Sequence, residues 1–223
     1  MKKNSFKTIT FLAVTMLLLF AACRKNDYFN DGGGLSKQPE AEKRMPLYDF
    51  LVSRPNHMFD SLVKIIDLTN AKSLVNEANI TFFAAPNNAV RRLQLNFVPS
   101  DKQQPRPLSD IGKDTLLNLL KRFIVPNAKV SLEVAVQDKQ KHYPANNGDS
   151  LVIYGKGGGT TGGSSQQTTA YYIEYMHRKI PNVDSVSYTG GIQTHNLITA
   201  NAIVHVLKSD ASFAAGLQQK YYR

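Results

Sequence analysis

Cysteine is almost absent from the sequence, and so are the short signatures of cofactor binding and nucleophilic catalysis. Cys23 is the only cysteine among 223 residues, so the chain cannot form an internal disulfide. No GxxxxGK[ST] phosphate loop, HExxH zinc motif or GxSxG nucleophile elbow occurs. The sequence therefore gives no support to a P-loop, zinc-protease or serine-hydrolase function, and we expect neither a cofactor nor a metal.

One formal match to a cofactor motif lies in a glycine-rich segment. Gly157-x-Gly159-x-x-Gly162 fits the dinucleotide fingerprint, but that fingerprint binds a pyrophosphate only where it opens a helix. The residues that follow, from Ser164 to Thr169, have no apolar helical face. We therefore interpret the whole segment 155–169 as a disordered loop of low complexity.

The carboxylates leave one catalytic alternative open. A glycosidase requires two carboxylates that face each other across a cleft. The sequence offers scattered candidates, namely Asp49, Asp60, Asp67, Glu77, Asp138, Asp149, Glu174 and Asp184. Their spacing singles out no pair. We therefore predict a protein that is not an enzyme, and we rank a cryptic hydrolase as the last of the alternatives.

The N-terminal residues have the pattern of an export signal. Three lysines, at positions 2, 3 and 7, precede an uncharged run from Ile9 to Ala22. This run is too short to span a bilayer, which takes about 20 apolar residues in a helix. A short positive region followed by such a run predicts a signal peptide over residues 1–22.

The run ends in a segment that resembles the lipobox of bacterial lipoproteins. The segment is Phe20-Ala21-Ala22-Cys23, with Phe20 in place of the usual leucine. The resemblance implies that Cys23 is acylated and that the chain is a membrane-anchored lipoprotein of the cell envelope. Two or more acyl chains would anchor it stably.

The polar stretch after the cysteine predicts a tether. Residues 23–46 include Gly32-Gly33-Gly34 and few apolar side chains, a composition typical of flexible segments. The chain carries a formal net charge of +10, which could favour anionic partners, but its basic residues are scattered in pairs. Scattered pairs indicate a solvated surface, and we expect no nucleic-acid partner outside the cytoplasm.

The remaining pattern predicts one α+β domain over 47–210, followed by a C-terminal tail at 211–223. Apolar residues at Phe59, Leu62, Val63 and Ile66 have helical spacing. A second short helix is expected at Ala71–Val75, and a further one through Leu116–Phe123. Strands are expected at Ile80–Ala85, Leu132–Val136, Leu151–Tyr154, Ala170–Met176, Val183–Tyr188 and Ile203–Leu207. Helices first and short strands afterwards favour an α+β class over a parallel sheet.

Three segments resemble the signature regions of the fasciclin domain family. They are Thr81–Val90 (TFFAAPNNAV), Leu116–Pro126 (LLNLLKRFIVP) and Asn201–Leu207 (NAIVHVL). The matching residues of the first and third segments are Thr81, Phe83, Pro86, Asn87, Asn201 and His205. The resemblance implies a wedge of β-strands with flanking short helices, and a buried His205 that holds neighbouring backbone groups. It also implies adhesion, matrix contact or carbohydrate association without a general catalytic activity.

The sequence departs from the family pattern at three places. Ala85 shifts Pro86 against the strict pattern, and Ala202 replaces the usual glycine, which would restrict the backbone. Arg122 and Phe123 stand where the family often has a Tyr-His pair that is associated with cell-adhesion binding in some animal members. Whatever that pair does, this chain cannot do it in the same way.

Candidate binding residues complete the sequence-based hypothesis. Tyr171, Tyr172 and Tyr175 lie close together, and exposed tyrosine suits sugar stacking and protein interfaces. Arg122 joins them because of its position in the second segment. We predict an envelope adhesion protein of the Bacteroidetes type, anchored in the outer membrane on either face and contacting a protein partner or a glycan. The alternative is an accessory subunit of an outer-membrane glycan or nutrient uptake complex.

Overall fold

A computed structural model describes residues 38–96, 106–138, 141–161, 168–178, 188–211 and 213. The α-helices in these ranges are α1 (Glu40–Lys43), α2 (Leu47–Val52), α3 (Asp60–Leu68), α4 (Lys72–Val75), α5 (Asn87–Asn96), α6 (Lys113–Lys121) and α7 (Leu132–Gln137). Short 3-10 turns occur at Pro55–His57 and Leu108–Asp110. The strands are β1 (Ile80–Ala84), β2 (Ile124–Val125), β3 (His142–Pro144), β4 (Ser150–Thr161), β5 (Thr168–Arg178), β6 (Tyr188–Ile198) and β7 (Ala202–Leu207).

The strands form one sheet in the order β2-β1-β7-β6-β5-β4-β3. Only β1 and β7 pair in parallel among these strands, and all other neighbours are antiparallel. The first residues of β6 pair with β5, whereas Ile192–Ile198 pair with β7. β6 therefore joins β7 and β1, on one side of the sheet, to the long hairpin of β4 and β5 on the other.

The core lies where the helices cover β1 and β7. All five residues of β1 are buried, as expected for a strand with neighbours on both sides and helices against it. α3 buries Leu62, Ile65 and Ile66, the side chains that share one helical face. The α+β class predicted from the sequence is thus confirmed. Within the described ranges, no helix combines the length and apolarity needed to cross a bilayer.

The strand predicted at Leu132–Val136 is wrong, because these residues form α7. Their β-branched valines suggested a strand. The helix is instead fixed by two contacts at its N-terminus: Ser131 Oγ accepts a hydrogen bond from Val134 N at 3.3 Å, and Asn196 Oδ1 accepts one from Leu132 N at 2.8 Å. These side chains satisfy backbone donors that the start of a helix leaves without partners.

The loop predicted over 155–169 is also replaced by strand at both of its ends. β4 continues through Gly155 to Thr161, and β5 begins at Thr168. Residues 162–167, between the two strands, lie outside the described ranges. Glycine favours strands weakly by itself, but here it pairs with residues of high strand propensity: Gly155 lies opposite Ile173 and Gly157 opposite Tyr171.

The tether predicted over 23–46 is too long, because residues from Gln38 onward pack on the domain. The Gln38 side chain donates from Nε2 to Ile198 O at 2.9 Å and accepts from Ile198 N at 2.7 Å. Glu42 of α1 forms an ion pair of 2.7 Å with Arg54, and both side chains are largely buried. The predicted signal peptide at 1–22, Cys23 and the tether up to residue 37 lie outside the described ranges.

Two other predicted segments are described only in part. The predicted strand Val183–Tyr188 overlaps the described ranges at Tyr188, where β6 begins. The predicted tail at 211–223 contains Phe213, which is fully buried and stacks on Phe123 with ring centroids 5.1 Å apart. The domain therefore extends past residue 210.

Replacing Gln38 by alanine is expected to lower the free energy of unfolding by about 1–2 kcal/mol, since two hydrogen bonds to Ile198 are lost. Urea unfolding followed by circular dichroism measures this change. Gln193, an exposed residue of the same strand, provides the matched control, and Gln193→Ala should leave stability nearly unchanged. Equal effects of the two substitutions would contradict a packed Gln38.

Candidate functional site

The first and third fasciclin-like segments meet in the centre of the fold. β1 and β7 are neighbouring parallel strands with Phe83 opposite His205 in the register. Both side chains are fully buried, and their rings lie 5.5 Å apart. The parallel pairing brings together residues about 120 positions apart in sequence.

His205 holds two backbone groups through its two ring nitrogens. Nδ1 lies 3.3 Å from Asn196 N, which can only donate, and Nε2 lies 2.8 Å from Val130 O, which can only accept. These partners assign the neutral tautomer with the proton on Nε2. Burial lowers the pKa of His205 to about 4, an effect that the hydrogen bond to Val130 partly opposes. The imidazole is therefore a neutral structural link at neutral pH.

Thr81 of β1 holds the loop that contains Ala128 and Val130. Its Oγ1 donates to Ala128 O at 2.7 Å and accepts from Val130 N at 2.9 Å. Val130 is thus held through its N–H by Thr81 and through its carbonyl by His205. The two motif residues together fix the connection between β2 and α7.

Asn196 is a site residue that the motif comparison missed. It has a φ of 59°, a left-handed conformation that asparagine adopts more readily than most residues. Its Nδ2 lies 3.3 Å from the Glu133 carboxylate. Burial alone would raise the pKa of Glu133, but hydrogen bonds from Ser131, from its own backbone and from Asn196, together with the nearby His195, lower it overall. The available signal was an asparagine, a residue that tolerates a positive φ, just before the apolar pair Leu197-Ile198.

Asn87 joins the segment after β1 to the start of α3. Its Oδ1 accepts from Ser61 N at 2.9 Å, and its Nδ2 donates to His57 O at 2.7 Å. The first of these contacts satisfies a free N–H in the first turn of α3. Pro86, which precedes Asn87, is buried at the start of α5. Both motif residues therefore position helices.

Asn201 ties the β6–β7 turn to two helices. Its Oδ1 accepts from Leu47 N at 2.8 Å, at the start of α2. Its Nδ2 donates to Val75 O at 3.0 Å and to Glu77 O at 2.9 Å, at the end of α4. The side-chain amide is thus fully used inside the domain. The neighbouring Ala202 is buried and does not have a positive φ, so the alanine fits where the family has glycine.

Arg122 does not lie on a binding surface. Its side chain is 5% exposed, and its Nε lies 3.2 Å from Asp149 Oδ2 in the turn between β3 and β4. Because α6 ends immediately before Arg122, the guanidinium joins the end of that helix to the β3–β4 hairpin. The predicted binding role is therefore replaced by an internal one.

We expect Arg122→Met to cost about 2–3 kcal/mol of unfolding free energy, because Asp149 would keep a partly buried charge without its partner. The double variant Arg122→Met/Asp149→Asn removes both charges and should be more stable than the single variant. Urea unfolding of the two variants and of Asp149→Asn completes the cycle. Strict additivity of the single effects would show that the ion pair has no coupling energy.

The three predicted tyrosines all lie on β5. Tyr171 pairs with Gly157 of β4, Tyr172 with Lys156, and Tyr175 with Ile153. Their role in binding stays a prediction.

The comparisons with known proteins identify a likeness to solved structures. No family model matches the sequence, and no curated protein is similar to it. Among solved structures, the chain is similar to a FAS1 domain pair from the insect cell adhesion molecule fasciclin I, with 15% sequence identity and a TM-score of 0.49. The likeness covers 80% of this chain and 53% of the other, so the chain spans about half the length of that domain pair. A likeness of this strength does not establish the family.

The motif residues are thus arranged to hold backbone segments together. Each side chain donates one hydrogen bond to a main-chain group and accepts another from one. This holds for Thr81, Asn87, Asn201 and His205. Among the residues that the structure describes, no group of three His, Cys, Asp or Glu side chains is placed to hold a metal ion. What this arrangement can supply is a rigid scaffold for surfaces elsewhere on the domain.

Proposed function

We propose that this chain is a fasciclin-like, non-catalytic binding protein, anchored by an acylated Cys23 in the bacterial outer membrane and contacting a protein partner or a glycan. The observation that supports it best is the parallel pairing of β1 with β7. Two segments that resemble the family signatures lie side by side, in register, with His205 buried as the resemblance implies.

The hydrogen bonding of the motif residues supports a role without catalysis. His205 has no exposed surface, so a substrate could not reach its nitrogens without opening the core. Thr81 is equally buried and shares its hydroxyl between Ala128 and Val130. A general base must lie within hydrogen-bonding reach of its substrate. These residues are therefore better suited to stability than to chemistry.

The β4–β5 hairpin is the surface that we propose for partner binding. Its register places Tyr171, Tyr172 and Tyr175 together on β5, and tyrosine combines apolar area with a polar tip. The buried Leu151 and Ile153 at the start of β4 join the hairpin to the core. We propose this hairpin because it contains all three tyrosines and is joined to the core at its base.

The anchor and the partner are tested separately. Metabolic labelling with a fatty acid should label the native chain and leave Cys23→Ser unlabelled. Gentle detergent extraction of the tagged native chain, followed by mass spectrometry of the co-purified proteins, should then recover an envelope protein. If the chain is recovered alone, it should bind a glycan on an array. Recovery of a complete transporter would support the accessory-subunit alternative. Absence of labelling would contradict the anchor whatever the chain binds.

A matched pair of variants tests the surface. The triple change Tyr171→Ala/Tyr172→Ala/Tyr175→Ala should abolish partner recovery or glycan binding. Thr168→Ala/Thr169→Ala, at the start of the same strand, should preserve it. Unchanged binding by a folded triple variant would remove the tyrosines from the proposal.

A further inference from the structure

The exposed face of α5 carries positive charge without a compensating carboxylate in the helix. Ala89, Val90 and Leu93 face the core and are fully buried, whereas Arg91 and Arg92 are exposed. The sequence of the helix, NNAVRRLQLN, contains no acidic residue. The charged side chains of this helix are therefore all cationic.

A third arginine is held beside this helix by its backbone. Gln94 Nε2 donates to Arg106 O at 3.0 Å, and Arg106 N donates to Gln94 O at 3.3 Å. Because Gln94 lies in the last turn of α5, these two hydrogen bonds fix Arg106 next to the end of the helix. Arg91, Arg92, Arg106 and the exposed Leu95 are here named the α5 basic face.

The three guanidinium groups lack ionic partners in the described part of the chain. The ion pairs there involve other cations, namely Lys43, Arg54, His57, Lys72, Arg122 and Lys141. Like charges close together repel each other, and an external anion relieves that repulsion. Guanidinium is suited to phosphate because its planar donors match the phosphate oxygens.

Leu95 favours a bilayer over a polysaccharide as the source of the anion. It is 45% exposed, one of two large hydrophobic side chains with such exposure among the described residues. It lies four residues after Arg91 and three after Arg92, so the three side chains are neighbours on the helix surface. A leucine among cations on a convex face matches a bilayer, where phosphates cover an apolar interior. A polysaccharide would be better matched by aromatic stacking surfaces, and α5 contains no aromatic residue.

We propose that the α5 basic face docks the domain onto a bilayer surface whose phosphate headgroups carry net negative charge. The arginines bind the headgroup phosphates, and Leu95 enters the boundary between headgroups and acyl chains. This inference rests on the proposed function only in that an acyl anchor would place the domain beside a bilayer. It adds an orientation: the helical side of the domain faces the membrane.

The test uses the full chain in vesicles of phosphatidylcholine alone, or with added phosphatidylglycerol. An arginine-selective dicarbonyl reagent is applied, and mass spectrometry gives the rate of modification at each arginine. With the anionic lipid, modification at Arg91, Arg92 and Arg106 should slow by about fivefold, the change expected from one cation near an anionic surface. Arg44, which is exposed on the segment after α1, should react at the same rate in both vesicles.

Two double variants that each remove two positive charges distinguish binding by the α5 basic face from general attraction of the chain to an anionic bilayer. Arg91→Gln/Arg92→Gln should remove the protection of Arg106. Lys129→Gln/Lys208→Gln, which removes two exposed charges outside α5, should preserve it. Equal protection of Arg44, or protection of Arg106 in both double variants, would overturn the proposal.

Two further readouts keep this inference separate from the proposed function. Flotation with vesicles of phosphatidylcholine alone reports the anchor, since those vesicles offer no net negative charge. A chain that fails to float with them but is protected by the anionic lipid would contradict the anchor and support the basic face. Protection by a soluble sulfated polysaccharide that exceeds protection by the anionic lipid would overturn membrane docking in favour of a glycan.

Discussion

Lowering the pH from 7 to about 4 should cost the domain about 3 kcal/mol of unfolding free energy through His205 alone. The pKa of His205 is about 4 in the folded state and 6.5 without the fold. Between pH 6.5 and pH 4, His205 is therefore protonated in the unfolded chain and neutral in the folded chain. The stability due to the neutral imidazole is fully present above pH 6.5 and is lost as the pH falls towards 4. Urea unfolding at several pH values measures the slope.

His205→Gln identifies the source of that slope. Glutamine can still donate to Val130 O but does not titrate, so the variant should be less stable at pH 7 by about 2 kcal/mol and nearly insensitive to pH between 6.5 and 4. The Glu133 carboxyl, whose pKa is lowered from its ordinary value of 4.5, contributes a loss in the same direction that begins only below that pH. His57→Gln, at a side chain 85% exposed, should keep the wild-type slope. A wild-type slope in His205→Gln would refute the assignment.

Asn201→Ala is expected to lower the free energy of unfolding by about 2–3 kcal/mol, because it leaves three backbone groups of two helices without partners. Those groups are Leu47 N, Val75 O and Glu77 O. Asn201→Asp preserves the acceptor for Leu47 but turns a carboxylate oxygen towards the two carbonyls. We expect it to be at least as destabilising as alanine.

The control for Asn201 is Asn118→Ala, at an exposed position of α6. It should be neutral or slightly stabilising, since alanine favours helices. Calorimetry or urea unfolding compares the three variants. Wild-type stability in Asn201→Asp would show that the donated hydrogen bonds contribute little and that the contact with Leu47 is sufficient.

The parts of the fold that the sequence predicted are those with strong local or motif signals. The apolar face of α3 and the β-branched, aromatic run of β1 agree with their burial. His205 was expected to be buried and bonded to backbone, and it is. In each case one short stretch contains the information, because its own residues fix both its periodicity and its buried side.

The parts that the sequence did not predict depend on distant partners. α7 contains valines that are typical of a strand, yet it is a helix whose first N–H groups are satisfied by Ser131 and by Asn196, which lies more than sixty residues away. Gly155 and Gly157 are typical of a loop by themselves, but they pair with Ile173 and Tyr171 of the opposite strand. Arg122 looked like a surface cation because its partner, Asp149, belongs to a turn that sequence spacing could not bring near it. Such pairings become visible only in three dimensions.

The attachment of Gln38 and α1 has a mechanical consequence for a chain that is pulled from its N-terminal side. Tension that enters at residue 38 first loads the two hydrogen bonds to Ile198 and the Glu42–Arg54 pair. Asn201, which holds Leu47, is loaded only after α1 has detached. Release of residues 38–46 would then add up to about 30 Å of extended chain while the sheet stays intact. Residues 38–46 would thus detach and extend under tension before the sheet itself is disrupted.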